Sequence, residues 1–233
     1  MIYVTGDTHG EQKRWEKQIH PILRSGDTLI VAGDFGVGFW GDRERSEETF
    51  YDWIAEQPYT VLFVDGNHEI FPRLASYPEE VWCGGKVHKL RHNLLHLMRG
   101  EIYEIEGMSV FVFGGAYSVD RYRRKEGFDW FKEEMPSEEE YENARRNLAR
   151  CHYSVDYIIT HTCPAETVEY MARLPEYGIS NMVAEERDLQ NFLSEICGMT
   201  SYKGYYFGHF HIDREFWKGQ TAVLNTVRKL ETR

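Results

Sequence analysis

The sequence predicts an α/β fold in which two packed β-sheets carry helices on their outer faces. Three observations support this. Short apolar runs recur, each stopped by Gly, Asp, Asn or His. Helix-like stretches separate the first of them, and from residue 86 closely spaced β runs take over. "IYVT" (2–5), "TLIVA" (28–32) and "TVLFV" (60–64) read as buried strands, with helical candidates "EQKRWEKQIHPIL" and "ERSEETFYDWIAEQ" between them. That alternation marks βαβ units, because parallel strands need a crossover and the crossover covers the sheet. "KVHKL", "LLHLM" and "EIYEIEG" then predict a meander. "SVFVF" (109–113), "DYIIT" (156–160) and "GYYF" (204–207) are further strands, and "REFWKG" and "TAVLNTV" return to β structure near the end.

Residues 120–150 are strongly charged and stand apart as a helical insert within a single 1–233 domain. Ser137 and Glu140 form a capping box that starts a helix running to about Ala149. Two readings stay open. The segment is a solvated outer helix, or it is a lid whose Arg121, Arg123 and Arg124 approach an anionic substrate.

Composition narrows the function classes. Hydrophobic residues at 42% and aromatics at 15% fit a globular chain rather than a disordered one. The net charge of −11, from 27 basic and 38 acidic side chains, repels polyphosphate backbones and weighs against long nucleic acids. Four cysteines without a C-x-x-C pair point to reduced thiols and a cytoplasmic setting. No signal peptide is expected at "MIYVTGD", and no apolar run nears the roughly 20 residues that span a bilayer, so no membrane partner is expected.

One local pattern points elsewhere. Gly36, Gly38 and Gly41 spell G-x-G-x-x-G, and Asp65 follows 24 residues later, close to a dinucleotide-binding fingerprint. The strand does not run into the first glycine, however, since Gly33-Asp34-Phe35 intervene. Phe39 and Trp40 also crowd the place where pyrophosphate would approach. The glycines read better as a flexible loop passing close to the mouth of a different site.

That site is announced by the residues immediately after each strand. After 2–5 comes Gly6-Asp7-Thr8-His9; after 28–32, Gly33-Asp34; after 60–64, Asp65-Gly66-Asn67-His68-Glu69. His161 succeeds 156–160, and Gly208-His209-Phe210-His211 succeeds 204–207. Each piece alone is a common turn. Together they place five of the ten histidines at strand termini, where ligands bind in open α/β sheets. Divalent ions such as Zn²⁺, Mn²⁺ and Fe accept imidazole and carboxylate together. Two such ions about 3.5–4 Å apart need an anionic bridge, which suits Asp34, and a neutral amide such as Asn67 limits the negative charge.

"GDTHG", "GD", "GNHE", "H" and "GHFH", spanning residues 6–211, resemble the five motifs of the calcineurin-like metallophosphoesterase superfamily. The resemblance implies a four-layer α/β/β/α sandwich of two mixed sheets and a dinuclear centre of Mn, Fe or Zn. It implies that Asp7, His9 and His211 hold one metal and that Asn67, His161 and His209 hold the other, with Asp34 shared. His68 matches the family's non-ligand histidine, which contacts phosphate and protonates the leaving oxygen. The expected reaction is hydrolysis of a phosphate mono- or diester by a metal-bridging hydroxide. Its substrate would be a small molecule or nucleotide. The alternative is a non-catalytic interaction module on the same fold. The second motif departs from the Gly-Asp-x-Val-Asp-Arg-Gly of phosphoprotein phosphatases, so Asp42 and Arg43 stand out of register for orienting His68 and gripping phosphate. Arg43, Arg121, Arg123 and Arg124 are the candidate substrate contacts.

Overall fold

A computed structural model describes residues 1–38, 44–174 and 184–231. From the start of the chain, β1 (Ile2–Thr5), β2 (Thr28–Ala32), β3 (Thr60–Val64), β4 (Glu79–Trp82), β5 (Gly85–Arg91) and β6 (Leu94–Leu97) belong to one sheet. β7 (Ile102–Ile105), β8 (Met108–Phe113), β9 (Tyr157–Thr160), β10 (Gly204–Phe207), β11 (Arg214–Glu215) and β12 (Gln220–Ala222) form the other, and β13 (Arg228–Lys229) returns to the first. The sheet orders are β13-β1-β2-β3-β6-β5-β4 and β11-β12-β10-β9-β8-β7. The centre of each sheet is parallel and antiparallel strands flank it.

The period-2 pattern of the strands explains the layers. Ile2, Val4, Ile30, Leu62 and Val64 on one sheet, and Val110, Val112 and Ile159 on the other, share the core between the sheets. The alternate residues Leu29, Val31, Val61 and Phe63 face outward and pack with Trp15, Ile19, Phe50 and Ile54. Trp15 and Ile19 lie in a π turn that continues α1 (Gln12–Arg14), while Phe50 and Ile54 lie on α2 (Glu44–Ala55). On the far side, Phe111, Phe113 and Ile158 pack against α4 (Glu138–Arg150), α5 (Ala165–Met171) and α6 (Arg187–Met199). A short α3 (Phe71–Leu74) lies between β3 and β4. The result is an α/β sandwich of two mixed sheets flanked by helices. Among the described residues, no helix is long and apolar enough to cross a membrane.

Some local expectations need revision. The run after residue 86 is not one meander: β5 and β6 join the first sheet, β6 pairing in parallel with β3, and the chain crosses to the second sheet before β7. The first helical candidate yields only α1 and its π turn, ending before Pro21. Residues 120–150 are not helical throughout. Two 3₁₀ turns, Arg121–Arg123 and Lys132–Glu134, precede α4, whose N-terminus carries the Ser137–Glu140 capping box and whose Ala144 and Leu148 are buried in the core.

The loop after β2 is pinned rather than flexible over residues 35–38. The buried Glu69 carboxylate accepts backbone N–H groups from Phe35 (2.9 Å), Gly36 (3.1 Å) and Val37 (2.6 Å), and Glu47 accepts from Gly38 (2.9 Å). Gly36, at φ +108°, lies so close to His9 and Gly10 that a Cβ would overlap their backbone. Asp65 takes a structural role. It is fully buried, and its carboxylate accepts from Arg99 (2.9 and 2.5 Å) and lies 3.1 Å from His96 Nε2. Burial opposes its charge, but Arg99 and His96 outweigh burial and hold the carboxyl below the usual range.

Candidate metal centre

The parallel strands end in register: Thr5 with Val31 and Ala32 with Val64 in one sheet, Thr160 with Phe113 and Phe207 in the other. The loops leaving those ends converge. Asp7, His9, Asp34 and His211 each offer a ligand atom, all within 4.8 Å of one another. His9 Nε2 lies 3.8 Å from Asp34 Oδ2 and 3.3 Å from His211 Nε2, which is 3.8 Å from Asp7 Oδ1. Across Asp34, His161 Nε2 is 3.4 Å from Oδ1. The same nitrogen is 3.1 Å from Asn67 Oδ1, and so is His209 Nδ1. All seven side chains therefore meet, and Asp34 touches both groups through different oxygens.

The glycines of the motifs have a packing reason. A Cβ at Gly33 would overlap the His161 ring, one at Gly66 would overlap Asp34 Oδ1, and one at Gly208 would overlap Asp7 Oδ2. The backbone is also forced: Asp7, His9, Asp34, His209 and His211 all adopt φ between 47° and 65°. Each such left-handed residue costs about 1–2 kcal/mol. Arg14, buried under the first turn, donates to the carbonyls of Asp7 (2.8 Å) and Gly6 (3.0 Å) and so holds it.

Three groups that the motifs do not reveal orient the donors. Ala32 O lies 3.0 Å from His161 Nδ1, so that N–H donates outward and Nε2 faces the site. The Asn67 amide donates to Ser118 Oγ (3.0 Å), which donates to Glu134 Oε2 (2.8 Å), directing Asn67 Oδ1 toward the histidines. Glu186 is 1% exposed; one oxygen accepts from Thr162 Oγ (2.6 Å) and the other from Tyr117 N (2.9 Å) while standing 3.6 Å from His209 Nε2. Ser118 follows β8, a sixth strand end, and that position was its only signal in sequence.

The electrostatics suit a cation. Burial opposes charge on Asp34, but the rings of His161, His68 and His9 outweigh it and hold the carboxyl below the usual range. Burial and the neighbouring Asp34 charge push Asp7 well above that range. Burial lowers His9 and His161 to about 4, and His211 below its ordinary value, so these rings are neutral and available as ligands near pH 7. Asp7 Oδ2 is buried and has no hydrogen-bond partner among the described residues. An orphaned carboxylate oxygen amid neutral imidazoles fits a divalent cation.

The arginines divide. Arg121 Nε and Nη2 donate to Glu134 Oε1 (2.7 and 2.5 Å), and its guanidinium lies between the rings of Tyr117 and Trp130, at 3.8 and 4.3 Å. It braces Glu134 rather than facing the mouth of the site. Arg123 is exposed beside Tyr122. Arg124 lines a cavity that His68 also lines. Asp42 and Arg43 lie outside the described residues.

A sequence model of calcineurin-like phosphoesterases matches residues 1–213, which include all the converging donors. Comparison with curated proteins returns no match. The match spans most of the chain and the fold agrees with it, and we conclude that the protein belongs to the calcineurin-like phosphoesterase family.

Proposed function

We propose that the protein hydrolyses a phosphate mono- or diester of a small molecule or nucleotide at a centre of two divalent cations drawn from Mn, Fe and Zn. The single observation that carries this reading is the placement of Asp34, with Oδ2 toward His9 and Oδ1 toward His161. Asp7, His9 and His211 would hold one ion, and Asn67, His161 and His209 the other, with Asp34 common to both. When bound, the ions supply an activated water for attack on phosphorus and neutralise the charge that develops. The chain's own part is to orient and to move a proton. His68 N–H donates from its backbone to Asp34 Oδ1 (2.9 Å), which fixes the loop while its ring lines the mouth of the site. Burial lowers the His68 pKa, and the negative charge of an arriving phosphate ester acts in the opposite direction, favouring a proton on the ring. Its Nδ1 is buried, leaving Nε2 to deliver that proton to the departing oxygen. Four cysteines free of disulfides support a reducing cytoplasmic setting.

The test is metal analysis of the purified protein with turnover of p-nitrophenyl phosphate and bis-p-nitrophenyl phosphate in Mn²⁺. Two equivalents of metal and chelator-sensitive hydrolysis are expected, and the faster ester separates monoesterase from diesterase chemistry. Absence of both metal and turnover would instead favour the interaction module.

Glu186 offers a sharper check of the second donor group. Replacing it by Gln keeps the shape but removes the charge behind His209 and turns an NH₂ toward one set of its present donors, and outer partners of this kind are worth about 10–100-fold in metal affinity. Titration with Mn²⁺ followed by electron paramagnetic resonance should show one of two sites weakened by that factor. Equal loss at both sites, or at neither, would remove Glu186 from this role.

A further inference from the structure

We propose that the cavity beside the candidate centre is the leaving-group subsite and that it takes a planar aromatic ring, so that the substrate is an aromatic or nucleobase-bearing phosphate ester. This rests on the hydrolase reading above and adds the substrate class to it. The mouth of the site, about 290 Å³, is lined by Asp34, Asn67, His68 and His209. A second cavity of about 530 Å³ is lined by Ile70, Pro72, Phe128, Phe131, Arg73 and Arg124. His68 lines both. Because His68 borders both cavities, the second cavity adjoins a phosphate seated at the mouth and is the space open to the group that the phosphate carries.

The walls say what fits there. Four of the residues named are apolar, and the volume is that of a small-molecule pocket. Phe128 is 63% exposed although it is a large aromatic side chain, and it meets no other ring among the described residues. Its turn is held: Gly127 N donates to Trp130 O (2.9 Å), Phe128 N to Lys125 O (3.1 Å), and Arg124 Nη1 to Asp129 O (3.0 Å). An exposed aromatic ring carried on a held turn at a cavity rim offers a stacking platform. The cations do not make a second phosphate site, because Arg124 pairs with Asp120 (2.8 Å) and Arg73 with Glu47 (3.0 Å). Their charge is balanced, which favours a neutral planar group with polar edges.

Two pairs of esters test this on the metal-loaded protein. Adenosine 5′-monophosphate against ribose 5-phosphate, and benzyl against cyclohexylmethyl phosphate, keep the type of departing oxygen and change only the ring. The aromatic member of at least one pair should have a kcat/KM about tenfold higher, the scale of one stacked ring, and Phe128→Ala should erase that ratio while Phe128→Tyr keeps it. The pair that shows the gap identifies the source of the ring, a nucleobase or a simple aryl group. Ratios near one in both pairs, or a ratio that survives Phe128→Ala, would overturn the proposal. Saturation-transfer NMR with adenosine and benzyl alcohol, which lack phosphate, reads the subsite independently of turnover. A saturation signal that disappears in Phe128→Ala supports it, and silence with wild type counts against it. A wild type inactive on every ester would sink the hydrolase reading alone.

Discussion

Asp34→Asn should strip both cations from the protein at once, lowering bound metal from two ions per chain to about none and abolishing turnover. The substitution is nearly isosteric and removes only the charge. Asp34 is 1% exposed, yet its carboxyl lies below the usual range despite burial, with His161, His68 and His9 beside it. An amide at this position can still accept the backbone N–H of His68, but it then turns an NH₂ group toward His9. The first donor group loses the oxygen facing His9, and the second keeps only a neutral amide oxygen facing His161. As the proposed ligand to both ions, this residue should on replacement cost more than the 10–100-fold typical of an outer partner. Elemental analysis after gel filtration, with circular dichroism to confirm folding, reads the outcome. Two ions still tightly bound in Asp34→Asn would mean that the bridge is misassigned.

His68→Ala should show the opposite profile, with metal retained and chemistry lost. The hydrogen bond from residue 68 to Asp34 comes from the backbone N–H, which alanine keeps. Only the ring is removed, and loss of a general acid lowers kcat by about 10²–10⁴-fold. The loss should depend on the departing group. Alkyl esters, whose oxygen needs a proton, should suffer most, and p-nitrophenyl phosphate least. A uniform loss across leaving groups would point to a binding role for His68, and near-normal activity on alkyl esters would be incompatible with proton delivery.

Much of this arrangement was legible in the chain. Runs such as "TLIVA" and "TVLFV" mark strands to the residue because both faces are buried, so the apolar stretch and the strand coincide. The donors were legible for a related reason: polar residues directly after fully buried strands have few structural roles there. The pairings were not. Nothing local indicates that β6 inserts beside β3 or that β13 returns to β1, because those choices depend on distant partners. Ser118, Glu134 and Glu186 escaped notice for the same reason: Ser118 meets Asn67 across 51 positions, Glu134 acts through Ser118, and Glu186 meets His209, each only after folding brings them together. The shortened α1 reflects Pro21 and a π turn, which overrode a favourable amphipathic pattern.

Assembly of the molecule depends on where the donors originate. Asp7, Asp34 and Asn67 leave the first sheet, whereas His161 and His209 leave the second, and His9 meets His211 across 202 positions of chain. No half of the polypeptide holds all the donors, so the cage is complete only when the two layers are packed together. Ions held in that cage would act as rivets between the layers. At a free concentration a hundred times their dissociation constant they add about 2.7 kcal/mol against separation. Mineral supply would then govern how long the protein survives as well as how fast it works.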